Sequence, residues 1–214
     1  MLAKKFVLDR QRANLPTAPA CEACNNAKSR LETELTAILP LGGRHDYATE
    51  ILQTMMPGRL AAHQRARAEI DRALTPRWFP ASSSLFAPQE AAIHVDADAL
   101  LRWISMVALG LVWFHWKRVV FHKVTVEPHL FAPEAERHIA PAFSLKASHR
   151  VFRDIGNGAF VYEGLMNDAE EPTCSLWRFS LYGGVELAGE DSTARARTFY
   201  VTILPRDRSN LTAK

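Results

Sequence analysis

Residues 100–118 read Leu-Leu-Arg-Trp-Ile-Ser-Met-Val-Ala-Leu-Gly-Leu-Val-Trp-Phe-His-Trp-Lys-Arg, and the period of this stretch decides the fold class. Leu100, Trp103, Ile104, Val107, Leu111 and Phe114 recur at spacings of three and four, the signature of a helix with a wide buried face. Arg102 interrupts the start and Lys117 and Arg118 close the end, which leaves too short a clean run for a membrane span. A core helix from Leu100 to Trp116 is therefore expected, capped by Asp96 or Asp98, whose short acceptor side chains suit free backbone N–H groups. Gly110 lowers helix propensity in its middle, so close packing against a neighbour is expected there. Trp113, His115, Trp116, Lys117 and His122 mix aromatic and basic character, as nucleic-acid binders do, but on one helix they read more simply as core and edge residues.

Downstream the period changes to two. Val124 to Val126, Arg150 to Ile155, Ala159 to Leu165, Ser175 to Leu181, Val185 to Ala188 and Thr198 to Leu204 are runs of β-branched and aromatic residues and read as strands. Trp177, Phe179 and Leu181 alternate with Arg178 and Ser180, as a half-buried antiparallel strand requires. Gly156-Asn157-Gly158 and Gly183-Gly184 stand where tight hairpins need positive φ. The expectation is an α+β fold in which helices lead into an antiparallel sheet packed on a long central helix.

Upstream, a first helix is expected from about Cys24 to Ile38. Lys28, Arg30, Glu32 and Glu34 fall on its wet side, Leu31, Leu35 and Ile38 inward, and Pro40 with Gly42-Gly43 ends it. A second helical stretch, Tyr47 to Leu74, is broken by Pro57-Gly58, since proline removes a backbone donor; Leu60, Ile70 and Leu74 mark the apolar side of its later half. Thr75 to Pro88 is rich in Pro and Ser and reads as a linker or long loop. These boundaries divide the chain into residues 1–43, residues 44–90 and residues 91–214, the last holding the long helix and the sheet.

With 214 residues, 48% hydrophobic and 23% charged, the chain has the composition of an ordinary globule and can bury a sizeable core. Its net charge is only +3, so any surface for a polyanion has to be local. Lys4, Lys5, Arg10 and Arg12, then Lys28 and Arg30, then Arg59, Arg65, Arg67 and Arg72 form such clusters, and a solvated helix face explains the last group as well as phosphate binding does. Three cysteines make no disulfide framework, and Met1 to Leu8 is too short and too charged for a cleavable signal, which points to a cytoplasmic setting and no membrane. No Gly-x-Ser-x-Gly elbow, P-loop or dinucleotide fingerprint occurs, and His129, His138 and His149 are scattered without metal-ligand spacing.

The chemistry-bearing stretch lies near the start: Asn14-Leu15-Pro16-Thr17-Ala18-Pro19-Ala20-Cys21-Glu22-Ala23-Cys24-Asn25-Asn26-Ala27-Lys28-Ser29-Arg30. A Cys-x-x-Cys pair presents two thiolates to one ion from a single turn, but structural zinc takes four N or S ligands, and the remaining cysteine, Cys174, is far along the chain. A thiol-disulfide role is the other chemistry open to such a pair, although no thioredoxin-like βαβ pattern surrounds it.

Asn14-Leu15, Cys21-x-x-Cys24-Asn25 and Lys28-Ser29 together resemble the C-terminal half of the HNH endonuclease motif in its four-cysteine, ββα-metal form. The resemblance implies that Asn14 orients the catalytic His, that Cys21 and Cys24 are the second pair of structural zinc ligands, and that Asn25 helps hold the catalytic divalent ion, magnesium or similar. It also implies that Lys28 meets a phosphate one turn later and that DNA is the partner; from the basic clusters, Arg30, Lys4 and Lys5 are read as further nucleic-acid contacts. In that family the general-base His, its acidic neighbour and the first cysteine pair precede the position of Leu2. The sequence is accordingly expected to begin inside a longer protein or to have lost that half, and alone to be inactive, because phosphodiester hydrolysis needs an activated water and a cation. The reading is an HNH-type metal-dependent endonuclease acting on DNA. The alternative is a non-catalytic nucleic-acid-binding or structural descendant in which Asn14 and Asn25 serve as turn and cap residues. A homodimer is compatible with either.

Overall fold

The computed structural model describes residues 4–43, 45–64, 67–68, 70–71, 95–119, 124–144, 149–167, 174–188 and 195–206, and of Lys5 and Arg195 the backbone only. Thr75 to Pro88, Leu74, Arg65, Arg72 and His122 lie outside the described residues. Its helices are α1 (Glu22–Ile38), α2 (Asp46–Thr54), α3 (Met56–Ala62), α4 (Ala97–Trp116) and α5 (Pro133–Ile139). Its strands are β1 (Val124–Leu130), β2 (His149–Ile155), β3 (Phe160–Met166), β4 (Ser175–Leu181), β5 (Leu187–Ala188), β6 (Arg195–Ala196) and β7 (Phe199–Pro205). Five of them form one antiparallel sheet in the order β1-β7-β4-β3-β2, so the fold is α+β.

The β2–β3 hairpin turns through Gly156, Asn157 and Gly158, all at positive φ, a conformation that glycine and asparagine enter at little cost. Asp154 Oδ1 accepts the Gly158 N–H at 2.6 Å and closes the turn. The expected hairpin at Gly183-Gly184 is different. Tyr182, Gly183 and Gly184 do take positive φ, but β4 does not pair with the segment that follows. Val185 is buried there instead, and a Cβ on Gly183 would come within 2.8 Å of the His45 side chain, so the turn is shaped by packing under the start of α2. Only Leu187 and Ala188 pair, with Arg195 and Ala196, in a separate small ladder. β7 then returns beside β4, and β1 pairs beyond it as an edge, where Pro128 is tolerated because an edge residue has no ladder bond to lose on its outer side.

Trp177, Phe179 and Leu181 of β4, with Phe160 and Tyr162 of β3 and Phe199, Val201 and Ile203 of β7, are buried on one face of the sheet. Against them pack Leu100, Trp103, Ile104, Val107, Ala108 and Leu111 of α4, the buried face that the sequence spacing predicts. Asp96 Oδ1 accepts the Ala99 N–H at 2.9 Å, and Lys117 ends the helix in the left-handed region at φ 56. Among the described residues α4 is the one helix long and apolar enough to cross a membrane, and it forms the centre of the core.

The N-terminal segment joins that same core. Phe6 stacks on Trp103 with ring centroids 4.8 Å apart, and Tyr182 donates to the Phe6 carbonyl at 3.2 Å. Residues 4–43 and the sheet-bearing part are thus packed around one set of buried side chains, across the boundaries drawn from composition. α1 lies over α4, and here one expectation is corrected. Glu32 is buried, not on the wet side: its Oε1 accepts Lys28 Nζ at 2.5 Å and Trp103 Nε1 at 3.3 Å. A buried carboxylate persists only with such partners, and these come from one turn away and from another helix.

Candidate metal half-site at the start of helix α1

Asn14 takes the left-handed backbone at φ 64, a region that asparagine visits more readily than most residues. Its carbonyl accepts Arg153 Nη1 at 3.3 Å, which ties this turn to β2. The chain then runs without regular structure through Pro16, which is buried, to Cys21. α1 starts two residues earlier than the spacing suggested, at Glu22, with Cys21 as its N-cap: Cys21 Sγ accepts the Cys24 N–H at 3.3 Å, and the Cys21 carbonyl accepts the Asn25 N–H at 2.9 Å.

Cys21, Cys24 and Asn25 are therefore brought together on the first turn of α1, and all three are exposed. Arg30 and Lys4 are exposed as well, whereas Lys28 is turned inward onto Glu32 with its side chain only 11% exposed. Lys4 contributes its carbonyl to Arg12 Nε at 3.2 Å. The placement of the Lys5 side chain lies outside the description. Among the described residues no group of three or more His, Cys, Asp or Glu converges as metal ligands do.

The thiols differ in acidity. Cys21 is held below the ordinary thiol value of 9.0, first by the side-chain hydrogen bond from Cys24 and then by the Cys24 backbone N–H, while the same contact raises Cys24. A thiolate at a helix N-terminus is also favoured by the dipole. With iodoacetamide at limiting concentration, alkylation is expected at Cys21 before Cys24, with the rate rising through a midpoint below 9.0, and Cys24→Ala is expected to move that midpoint up. Mass spectrometry of the modified peptides reads both.

A second polar cluster lies at the end of α4, and the sequence does not announce it. His115 Nε2 is 2.9 Å from Tyr162 Oη, and Arg153 reaches both the Tyr162 hydroxyl and the Asn14 carbonyl. Burial, then the Arg153 and Lys117 charges, push His115 from 6.5 to about 4, so the ring is neutral and accepts from the phenol, itself pushed up to about 12 by burial. The unfolded chain binds the extra proton first. Stability contributed here is full above about pH 6.5 and declines as the pH falls toward about 4, by on the order of 1–2 kcal/mol after solvent screening of this half-buried group. Urea unfolding across that window is expected to show the decline in the native chain and a flatter profile in His115→Gln.

Comparison with protein-family models, curated proteins and solved structures finds no match to this chain. The reading of the site rests on its own chemistry. Two soft thiol donors one turn apart suit zinc, but a closed structural site takes four ligands, and the described residues offer this one pair. Both thiols are exposed, so the turn presents two soft donors to solvent.

Proposed function

We propose that this chain carries the helix half of an HNH-type nuclease centre, with Cys21 and Cys24 as two of four ligands to a structural zinc, and that the complete protein hydrolyses DNA phosphodiester bonds with a divalent cation. The observation that supports this reading is the outward-facing pair itself: Cys21 caps α1, Cys24 stands one turn on, and both thiols and Asn25 are exposed on that turn. A buried structural cysteine would be inert and shielded, whereas this pair is accessible and one member is acidified. Asn14, fixed in its left-handed turn, and Asn25 are the polar groups that the resemblance assigns to the catalytic side. On this reading a working centre needs two further zinc ligands, a general-base His and a metal-binding acid beside these residues. Arg30, Lys4 and Lys5 remain the proposed phosphate contacts, and Lys28 supports the helix through Glu32.

The test is the reading frame ahead of Met1. A Cys-x-x-Cys and an Asp-His or Glu-His pair in frame are expected, and the longer protein is expected to nick supercoiled plasmid with magnesium or manganese and to lose that activity in the His variant. An in-frame stop, or a longer protein with no such residues and no nicking, would favour the non-catalytic descendant.

A further inference from the structure

The sheet has a second face, opposite α4, and its two ends differ. One register row crosses all five strands: Phe152 opposes Glu163, Glu163 opposes Arg178, Arg178 opposes Tyr200, and Tyr200 opposes His129. At the β7 end the row is covered, since Tyr200 is buried, donates to Glu136 Oε1 at 3.0 Å and packs against Phe131 and Phe143. At the β2 end it is open, and Phe152 is 61% exposed.

Glu163, only 2% exposed, organises the open end. Its Oε1 accepts Arg150 Nε at 2.5 Å, and its Oε2 accepts Arg178 Nε at 2.8 Å and Nη2 at 2.5 Å. One carboxylate thus clamps two guanidinium groups, which remain 44% and 37% exposed and carry a net positive charge beside the exposed ring. Arg178 is further fixed with its guanidinium 4.6 Å from the Phe143 ring centroid. A guanidinium has five N–H donors, so each keeps donors for an outside acceptor after serving Glu163. Of the acids on this face, Glu136 is bonded to Tyr200 and Glu127 is on β1 at the far edge, while Asp154, next to Phe152 on the side away from Arg150, is engaged by the Gly158 N–H.

We infer that this end of the open face binds single-stranded nucleic acid, with a base stacked on Phe152 and the adjoining phosphate held by Arg150 and Arg178. The charge selects a polyanion, and the exposed aromatic ring selects one that offers a flat π-face. A duplex keeps its bases stacked inside and cannot present one to the edge strand. Because the arginines are already immobilised by Glu163, little ordering entropy opposes binding. The inference goes beyond the zinc reading and does not depend on it.

Fluorescence anisotropy with a labelled short oligothymidylate, a duplex of equal length and a polyglutamate competitor tests it. The strand is expected to bind better than the duplex, Phe152→Ala to weaken it by about tenfold or more, and Arg150→Gln to weaken it and flatten the salt dependence by roughly one counterion. Cys21→Ser/Cys24→Ser is expected to bind as the native chain does, which separates this result from the nuclease test. Circular dichroism melts of Phe152→Ala, an exposed change, verify its folding. No binding of the strand, equal binding of duplex, equal competition by polyglutamate, or indifference to Phe152→Ala would each overturn the inference.

Discussion

Replacing Glu32 by Ala is expected to cost on the order of 3–5 kcal/mol. The carboxylate is buried, its partner Lys28 is nearly so, and the Trp103 indole N–H points at the same oxygen. Removing it takes the counter-charge away from a mostly buried ammonium group and leaves the indole without this acceptor, which costs more than a surface pair is worth. The double change Lys28→Met/Glu32→Leu is expected to recover most of the loss, because two apolar side chains remove the desolvation problem along with the attraction. Urea denaturation reads both: the midpoint falls in Glu32→Ala with the slope unchanged, and returns toward the native value in the double variant. Equal losses in the two variants would show that α1 is held to α4 by something other than this charge.

Gly164→Val is expected to lose on the order of 3 kcal/mol or more, and Gly164→Ala about 1–3 kcal/mol, by overpacking. Gly164 lies opposite Trp177 in the ladder, and a Cβ there would meet Trp177 Cζ3, Cε3 and Cη2 at 2.4, 2.6 and 2.7 Å. The indole cannot retreat, since Trp116 lies 5.0 Å from its ring centroid, Tyr162 6.2 Å and Phe179 6.3 Å. For a chain of this size the valine variant should melt roughly 6–12 °C lower, given about 2–4 °C per kcal/mol. Pairing Gly164→Ala with Trp177→Leu is expected to be markedly non-additive, because the smaller side chain opens the space that the methyl needs. Additive losses would contradict the contact.

The parts of this fold that were legible in the sequence are those set by local period. β4 begins and ends where its alternation does, at Ser175 and Leu181, and the buried face of α4 is the one its three-and-four spacing marks. Glu32 was not legible: a glutamate among Lys and Arg on a helix looks solvated, and only the distant Trp103 and the overlying α4 turn that face inward. Gly183-Gly184 carried the right backbone conformation but not its use, since His45 and Val185, not a paired strand, decide what the turn serves. The candidate site divides in the same way. Cys21, Cys24 and Asn25 meet because they are neighbours on one turn, which spacing alone reveals. The contacts of Arg153 with Asn14 and Tyr162, and of Tyr162 with His115, join three separate segments, and no local pattern encodes them.

Elemental analysis of zinc in the purified protein, expressed with whatever is encoded in frame ahead of Met1, tests the central claim most directly. About one zinc per chain is expected, absent from the Cys21→Ser/Cys24→Ser variant, with the fold of α4 and the sheet retained by circular dichroism. Zinc content near zero in the native protein, or zinc content indifferent to both cysteines, would contradict it.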